Sequence, residues 1–377
     1  LIIFWSIFRL MIPNGTKAED STFFYTGVIE KTFNIVKLSG KSILMSETYE
    51  NVYENNYIFG NDELNIGRDR VVSIIIRDTQ EKPAGTIAAT WDVSVDGGGG
   101  VTAWLVENSS NYNLYIGGNG KVKATEGEYL FARYTNCVSI SGLDKLDTSN
   151  VTSMKYMFKD NKNLTTLDVS EFNTKFVTNM NGMFYECSKL EGLNLDKFIT
   201  ARVTNMSYMF YNCLALSNLN VLNFYTHNVE NMSYMFYGCN NLSNLDVSNF
   251  DTSKVTDMSW MFNSTGYKEM TSLDLGDKFD TKNVTNMDRM FDFCGYTSMT
   301  TLDLGSKFTQ IPSGTVDFVT DTGMSNATND ACTIYASEAI YQDIHHFKLN
   351  ANSTETIEYA RGIINQKYLL PKGICYL

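Results

Sequence analysis

Histidine is scarce in this chain: 377 residues include three, His227 and the adjacent His345 and His346. Neighbouring residues on a helix point about 100° apart, so that pair cannot converge on one ligand. His-Glu-x-x-His and a Gly-x-Ser-x-Gly elbow are both missing, which removes the commonest zinc-hydrolase and serine-hydrolase arrangements. Cys-x-x-Cys is missing too, and Cys137, Cys332 and Cys375 have no ligand spacing around them, so a zinc site is not expected. Gly97 to Gly100 are followed by neither Lys-Ser/Thr nor a helix, so they are no phosphate cradle. No catalytic residue, cofactor or metal emerges, and the chain reads as a non-enzyme. An activity hidden in residues 20–129 is the weaker rival.

Positive charge is also in deficit. Thirty Lys and Arg against 42 Asp and Glu leave a net charge of −12, with a pI near 4.8. That argues against nucleic acid or an anionic membrane as a direct partner. Residues 1–12 form an apolar run broken by Ser6 and Arg9, well short of the roughly 20 residues that span a bilayer. Residues 1–19 therefore read as the tail of a truncated signal peptide or anchor; a buried helix of the front domain is the alternative. A Leu-Pro-x-Thr-Gly signal is absent near Leu377, so any anchor is expected at the amino end.

What the chain has in abundance is one repeated string. Val-x-x-Met-x-x-Met-Phe returns at 151–158, 177–184, 203–210, 229–236, 255–262 and 284–291, with Thr second in all but the fourth; the spacing is 26 residues, then 29 at the end. A unit of that size cannot bury its own apolar face, so the copies must stack. Ahead of each string lies a second signature, at 164–172, 190–198, 216–224, 242–250, 270–279 and 299–308. Its alternation of Leu with polar residues predicts a short strand. At 100° per residue Val255, Met258, Met261 and Phe262 share one face, which predicts a short helix, and Thr152, Thr178, Thr204, Thr256 and Thr285 suit its N-cap. The fold class expected is an α/β solenoid of strand, turn and short helix, resembling leucine-rich repeats. A β-rich domain at 20–129 precedes the solenoid at 130–312, which begins with a degenerate unit at Leu130-Phe131; a cap at 313–377 follows. In the front domain Val71 to Ile76 reads as a buried strand. Hairpins are expected around Gly97 to Gly100 and at Asn119-Gly120.

The string Leu-Asp-Val-Ser-Asn-Phe-Asp-Thr-Ser-Lys-Val-Thr-Asp-Met-Ser-Trp-Met-Phe of 245–262 resembles the BspA-like leucine-rich-repeat surface proteins of bacteria and some protozoa. So do Trp91-Asp-Val-Ser, Tyr115-Ile-Gly-Gly and Tyr129-Leu-Phe upstream. The resemblance covers roughly residues 88–347. It implies a cell-surface or secreted protein used in adhesion or neighbour interaction, without enzymatic activity and with a protein or glycan on a host or neighbouring cell as partner. One departure is that Phe172, Phe198, Phe224, Phe250, Phe279 and Phe308 stand where ordinary leucine-rich repeats carry Asn or Cys.

Three columns of the repeat bear on function. Between the inward residues of each strand the outward one is Asp168, Asn194, Asn220, Asp246, Asp274 or Asp303, read as a solvated polar face or as a seat for calcium or a cationic ligand. In the helix, the residue before Met-Phe faces away from the core, yet it is Tyr156, Tyr208, Tyr234 and Trp260, with Gly182 and Arg289 as exceptions; Tyr185, Tyr211 and Tyr237 lie on the same flank. These rings either finish the stack's own surface or form a binding strip for glycan or protein. The third column, Cys187, Cys213, Cys239 and Cys294, reads as free buried thiols, although stacked neighbours lie within disulfide reach. A stalk without a specific ligand is the main rival to a binding function.

Overall fold

The computed structural model describes residues 43–319, 322, 332–337 and 340. The apolar run of residues 1–12, His345, His346, Cys375 and most of the expected cap at 313–377 lie outside them.

The front of the chain is β-structure. β1 (Ile43–Leu44) is followed by β2 (Val71–Arg77), β3 (Ile87–Asp92), β4 (Val101–Asn108), β5 (Asn111–Gly118) and β6 (Val122–Ala124). The repeats supply β7 (Ser139–Ser141), β8 (Leu146–Asp147), β9 (Thr166–Leu167), β10 (Gly192–Leu193), β11 (Asn218–Leu219), β12 (Ser272–Asp274) and β13 (Thr301–Asp303), and β14 (Thr333–Tyr335) follows in the cap segment. A six-stranded sheet runs β3-β4-β5-β2-β7-β9, so sheet and core continue across residue 130. The β-branched run of β2 sits between β5 and β7, parallel to both. β3 and β4 form the antiparallel hairpin around the glycines. The Asn119-Gly120 hairpin does not form, because β5 pairs with β4 and β2 while β6 joins β1 and β8 in another sheet. The tight hairpin is β4–β5, turned through Ser109 at φ 55°.

The repeats do stack, but the α/β solenoid of strand-helix units is overturned. Among the described residues up to 312 the helical elements are a π-helical turn at Glu50–Glu54 and 3-10 turns at Arg68–Arg70 and Leu143–Lys145, all ahead of the first copy. The strands are two or three residues long and fall into separate sheets, β10–β11 and β12–β13–β14 apart from the six-stranded one. Each copy is otherwise a chain of turns. Met157 N–H bonds to Met154 O and Lys159 N–H to Tyr156 O, three residues back, while Met154, Tyr156, Phe158 and Asp160 donate to the carbonyls of Asn179, Asn181, Met183 and Tyr185 in the next copy. The same set recurs at 180–186, 206–212, 232–238 and 258–264. A helix would keep those donors inside its own segment; here alternate N–H groups are spent on the neighbour.

The cause is backbone conformation. Tyr156, Tyr208, Tyr234, Trp260 and Arg289 have φ of 55°, 59°, 58°, 59° and 52°, and Gly182 has 57°. One left-handed residue in mid-string breaks a right-handed helix. Four residues on, Asp160, Glu186, Asn212, Gly238, Ser264 and Phe293 are left-handed as well. Thr152 and its equivalents are not N-caps: Thr178 and Thr204 donate both N–H and Oγ1 to the threonine carbonyl of the preceding copy.

The side-chain pattern survives this change. Val, both Met and Phe of every string are buried, as are the strand leucines. Phe131, Phe158, Phe184, Phe210, Phe236, Phe262 and Phe291 form an internal column with ring centroids 5.4 to 5.8 Å apart. One apolar core extends from Leu44 to Ile340.

Candidate functional site

The aromatic column becomes a two-row strip of half-buried rings outside the Phe column. Tyr208, Tyr234 and Trp260 form one row, with centroids 4.6 and 5.6 Å apart and planes within 8°. Tyr185, Tyr211 and Tyr237 form the other, at 4.4 and 4.7 Å. Across the rows the separations are 5.7 to 6.1 Å. Each ring therefore covers its neighbour's face, and solvent sees shingled edges and hydroxyls.

Both ends of the strip are closed. Arg289 lies 4.9 Å from the Trp260 ring centre and pairs with Asp317. At the other end Lys159 Nζ lies 4.6 Å from Tyr185 and 4.7 Å from Tyr53, over faces where a cation is favoured. Tyr53, from the π-helical turn of the front region, donates its hydroxyl to Asp160 and meets Tyr129 at 6.0 Å; Tyr129 meets Tyr156 at 5.5 Å. Tyr53, Lys159 and Tyr129 were not among the sequence candidates. Tyr129 was legible, because Tyr129-Leu130-Phe131 aligns with Tyr-Met-Phe of the later copies; nothing marked Tyr53. Burial raises the phenols of Tyr156, Tyr185, Tyr208, Tyr211 and Tyr234, which keeps them protonated donors at neutral pH.

The acidic column is a set of turn formers. Asp168, Asn194, Asn220, Asp246, Asp274 and Asp303 each accept, through Oδ1, the N–H two residues ahead, at 2.9 to 3.1 Å. That is an Asx turn, which Asp and Asn serve equally. The bond to Ser170 holds the Asp168 carboxyl below the usual carboxylate range. Asp168, Asp246 and Asp274 are exposed, whereas Asp303 is buried and does not continue an outward face. Among the described residues no group of three His, Cys, Asp or Glu could hold a metal ion.

The cysteine slot has an equally local role. Cys187, Cys213 and Cys239 are free and buried, and each Sγ donates to the Phe carbonyl of the preceding copy at 3.1 to 3.2 Å. Asn161 and Thr265 make the same bond from the same slot, so the slot selects a small donor. Burial pushes all three thiols up, which makes them poor nucleophiles.

Residues 125–243 and 215–300 match the model of a family described as Mycoplasma protein of unknown function, DUF285. No curated protein matches the chain, and no solved structure does. The matched residues are the repeats themselves, so this chain's stack of Met-Phe turns is similar to that family.

Proposed function

We propose that the chain is a non-enzymatic, cell-surface or secreted adhesion protein that presents its aromatic strip to a protein or glycan partner. One observation carries this reading: Tyr208, Tyr234 and Trp260 are held at φ near 58° to 59°, where a bulky side chain is an outlier. Left-handed backbone costs a side-chain-bearing residue about 1 to 2 kcal/mol and glycine almost nothing. Gly182 occupies the same place in one copy with the same ladder on both sides. A stalk would be served by glycine throughout; rings kept there in three successive copies favour a use for the rings. The resemblance of 245–262 to BspA-like surface proteins agrees with that use.

The test is the double variant Y208G/Y234G, which copies Gly182. The reading expects adhesion to host or neighbouring cells to fall while the unfolding midpoint stays close to that of the parent, because relief of strain offsets lost stacking. Undiminished adhesion would leave the strip as wall material and favour the stalk.

A further inference from the structure

We propose that the partner of the strip is a linear neutral glycan lying along the stack, its hydroxyls bonded to the tyrosine hydroxyls. This rests on the binding reading above and narrows it to one ligand chemistry. Three features lead there.

The first is that the rings stack face to face. With planes within 9° and centroids at 4.4 to 4.7 Å in the tyrosine pairs, and with Lys159 over Tyr185 and Arg289 over Trp260, no slot remains between stacked rings for an inserted apolar anchor. Protein interfaces draw their energy from such anchors seated in pockets. The strip offers edges and hydroxyls, which suit a ligand covered in hydroxyl groups.

The second is periodicity. Tyr208 and Tyr234 differ by one copy, as do Tyr185, Tyr211 and Tyr237, so the same hydroxyl-bearing ring recurs once per copy, at steps of 4.4 to 4.7 Å. A ligand that uses several of them must repeat its own acceptors along one axis. A homopolymer does this; a folded protein surface does not.

The third is charge. The net charge of −12 repels an anionic polymer. The closed ends, at Tyr53 with Lys159 and at Arg289, set a fixed length, so affinity should rise with chain length and then level off.

The experiment titrates the full chain with hexamers and shorter oligomers of β-1,4-linked glucose and of N-acetylglucosamine, with hyaluronan oligomers of equal length as the anionic arm. Isothermal calorimetry and tyrosine and tryptophan fluorescence are the readouts. The expected result is binding of a neutral series that strengthens with length and then saturates, with hyaluronan weaker. Y208F/Y234F, which removes only hydroxyls, should weaken it about tenfold or more, and Y208G/Y234G further. Failure of every neutral oligomer to bind overturns the proposal, as does equal binding by Y208F/Y234F. If cell adhesion still depends on Tyr208 and Tyr234 in either case, the partner is a protein and the adhesion reading stands; if adhesion is indifferent to them, that reading falls as well.

Discussion

The ring of Tyr156 lies over Gly182, with Cε1 only 2.2 Å from where a β-carbon on that glycine would sit. Gly182 is thus no gap in the aromatic strip; it is the space into which the preceding copy's ring folds. From there Tyr156 meets Tyr185 edge-on at 6.2 Å, and the strip runs unbroken from Tyr129 to Trp260. Asn212 and Gly238 repeat the arrangement, with Asn212 Oδ1 2.3 Å from the corresponding point.

This contact predicts a coupled pair. G182A should destabilise by about 1 to 3 kcal/mol, because the methyl meets the ring and the left-handed backbone becomes strained. In Y156G the same alanine should cost less, leaving a coupling of about 0.5 kcal/mol or more in a double-mutant cycle. Urea unfolding of the four proteins measures it; strict additivity would mean that the ring is not held over Gly182.

The acidic column predicts indifference to calcium. D246N should leave stability nearly unchanged, because Asn194 and Asn220 already make the same turn bond. D246A should cost about 0.5 to 1.5 kcal/mol, the net worth of one hydrogen bond. Thermal melts in calcium and in a chelator should coincide; a calcium-dependent rise in midpoint that D246N abolishes would restore the column as a metal seat.

The buried positions were legible in the sequence because repetition prints the core pattern six times: Val151, Met154, Met157 and Phe158 are all fully buried, as their spacing implies. That same spacing misled on local structure. Apolar residues at 0, 3, 6 and 7 satisfy a helical period, but they equally satisfy consecutive turns whose bonds reach back three residues. The discriminating signal lay in the variable slots. Tyr-Gly-Tyr at 156, 182 and 208, and Glu-Asn-Gly at 186, 212 and 238, place glycine in columns where only a left-handed backbone calls for it. The Asp/Asn alternation at 168, 194 and 246 marked turns in the same way. Which faces of the tyrosines stay open depends on ring tilt between copies, and no single-residue pattern encodes that.

Alkaline pH should loosen the strip. Burial raises Tyr129 from the ordinary 10 to about 12, and it lifts Tyr208, Tyr211 and Tyr234 as well. The folded chain holds the protonated phenol more tightly than the unfolded chain does. The stability this supplies is therefore fully present below about pH 10 and is lost as pH rises towards about 12. Melting temperature followed from neutral pH upward, with phenolate absorbance recorded alongside, should fall in that window; Y208F/Y234F should fall less. A midpoint that is flat while the phenols titrate would mean that their ionisation is not linked to folding.

The strongest ties between copies should be the buried threonines. Thr200 Oγ1 donates to Tyr225 O at 3.1 Å and accepts Tyr225 N–H at 2.7 Å; Thr148 and Thr174 do the same to Asn173 and Ile199. All three are almost fully buried, so each hydroxyl stands in for one rung of a ladder where the strands have ended. Thr200→Val keeps the shape and leaves one donor and one acceptor unmatched, which should cost about 1 to 3 kcal/mol. The loss should appear as a lower urea midpoint at unchanged slope. Because each copy touches mainly its neighbours, T148V and T200V should add to within about 0.5 kcal/mol. Two neutral single variants would remove the hydroxyl as a staple and leave the cohesion of the stack to the Phe and Met columns alone.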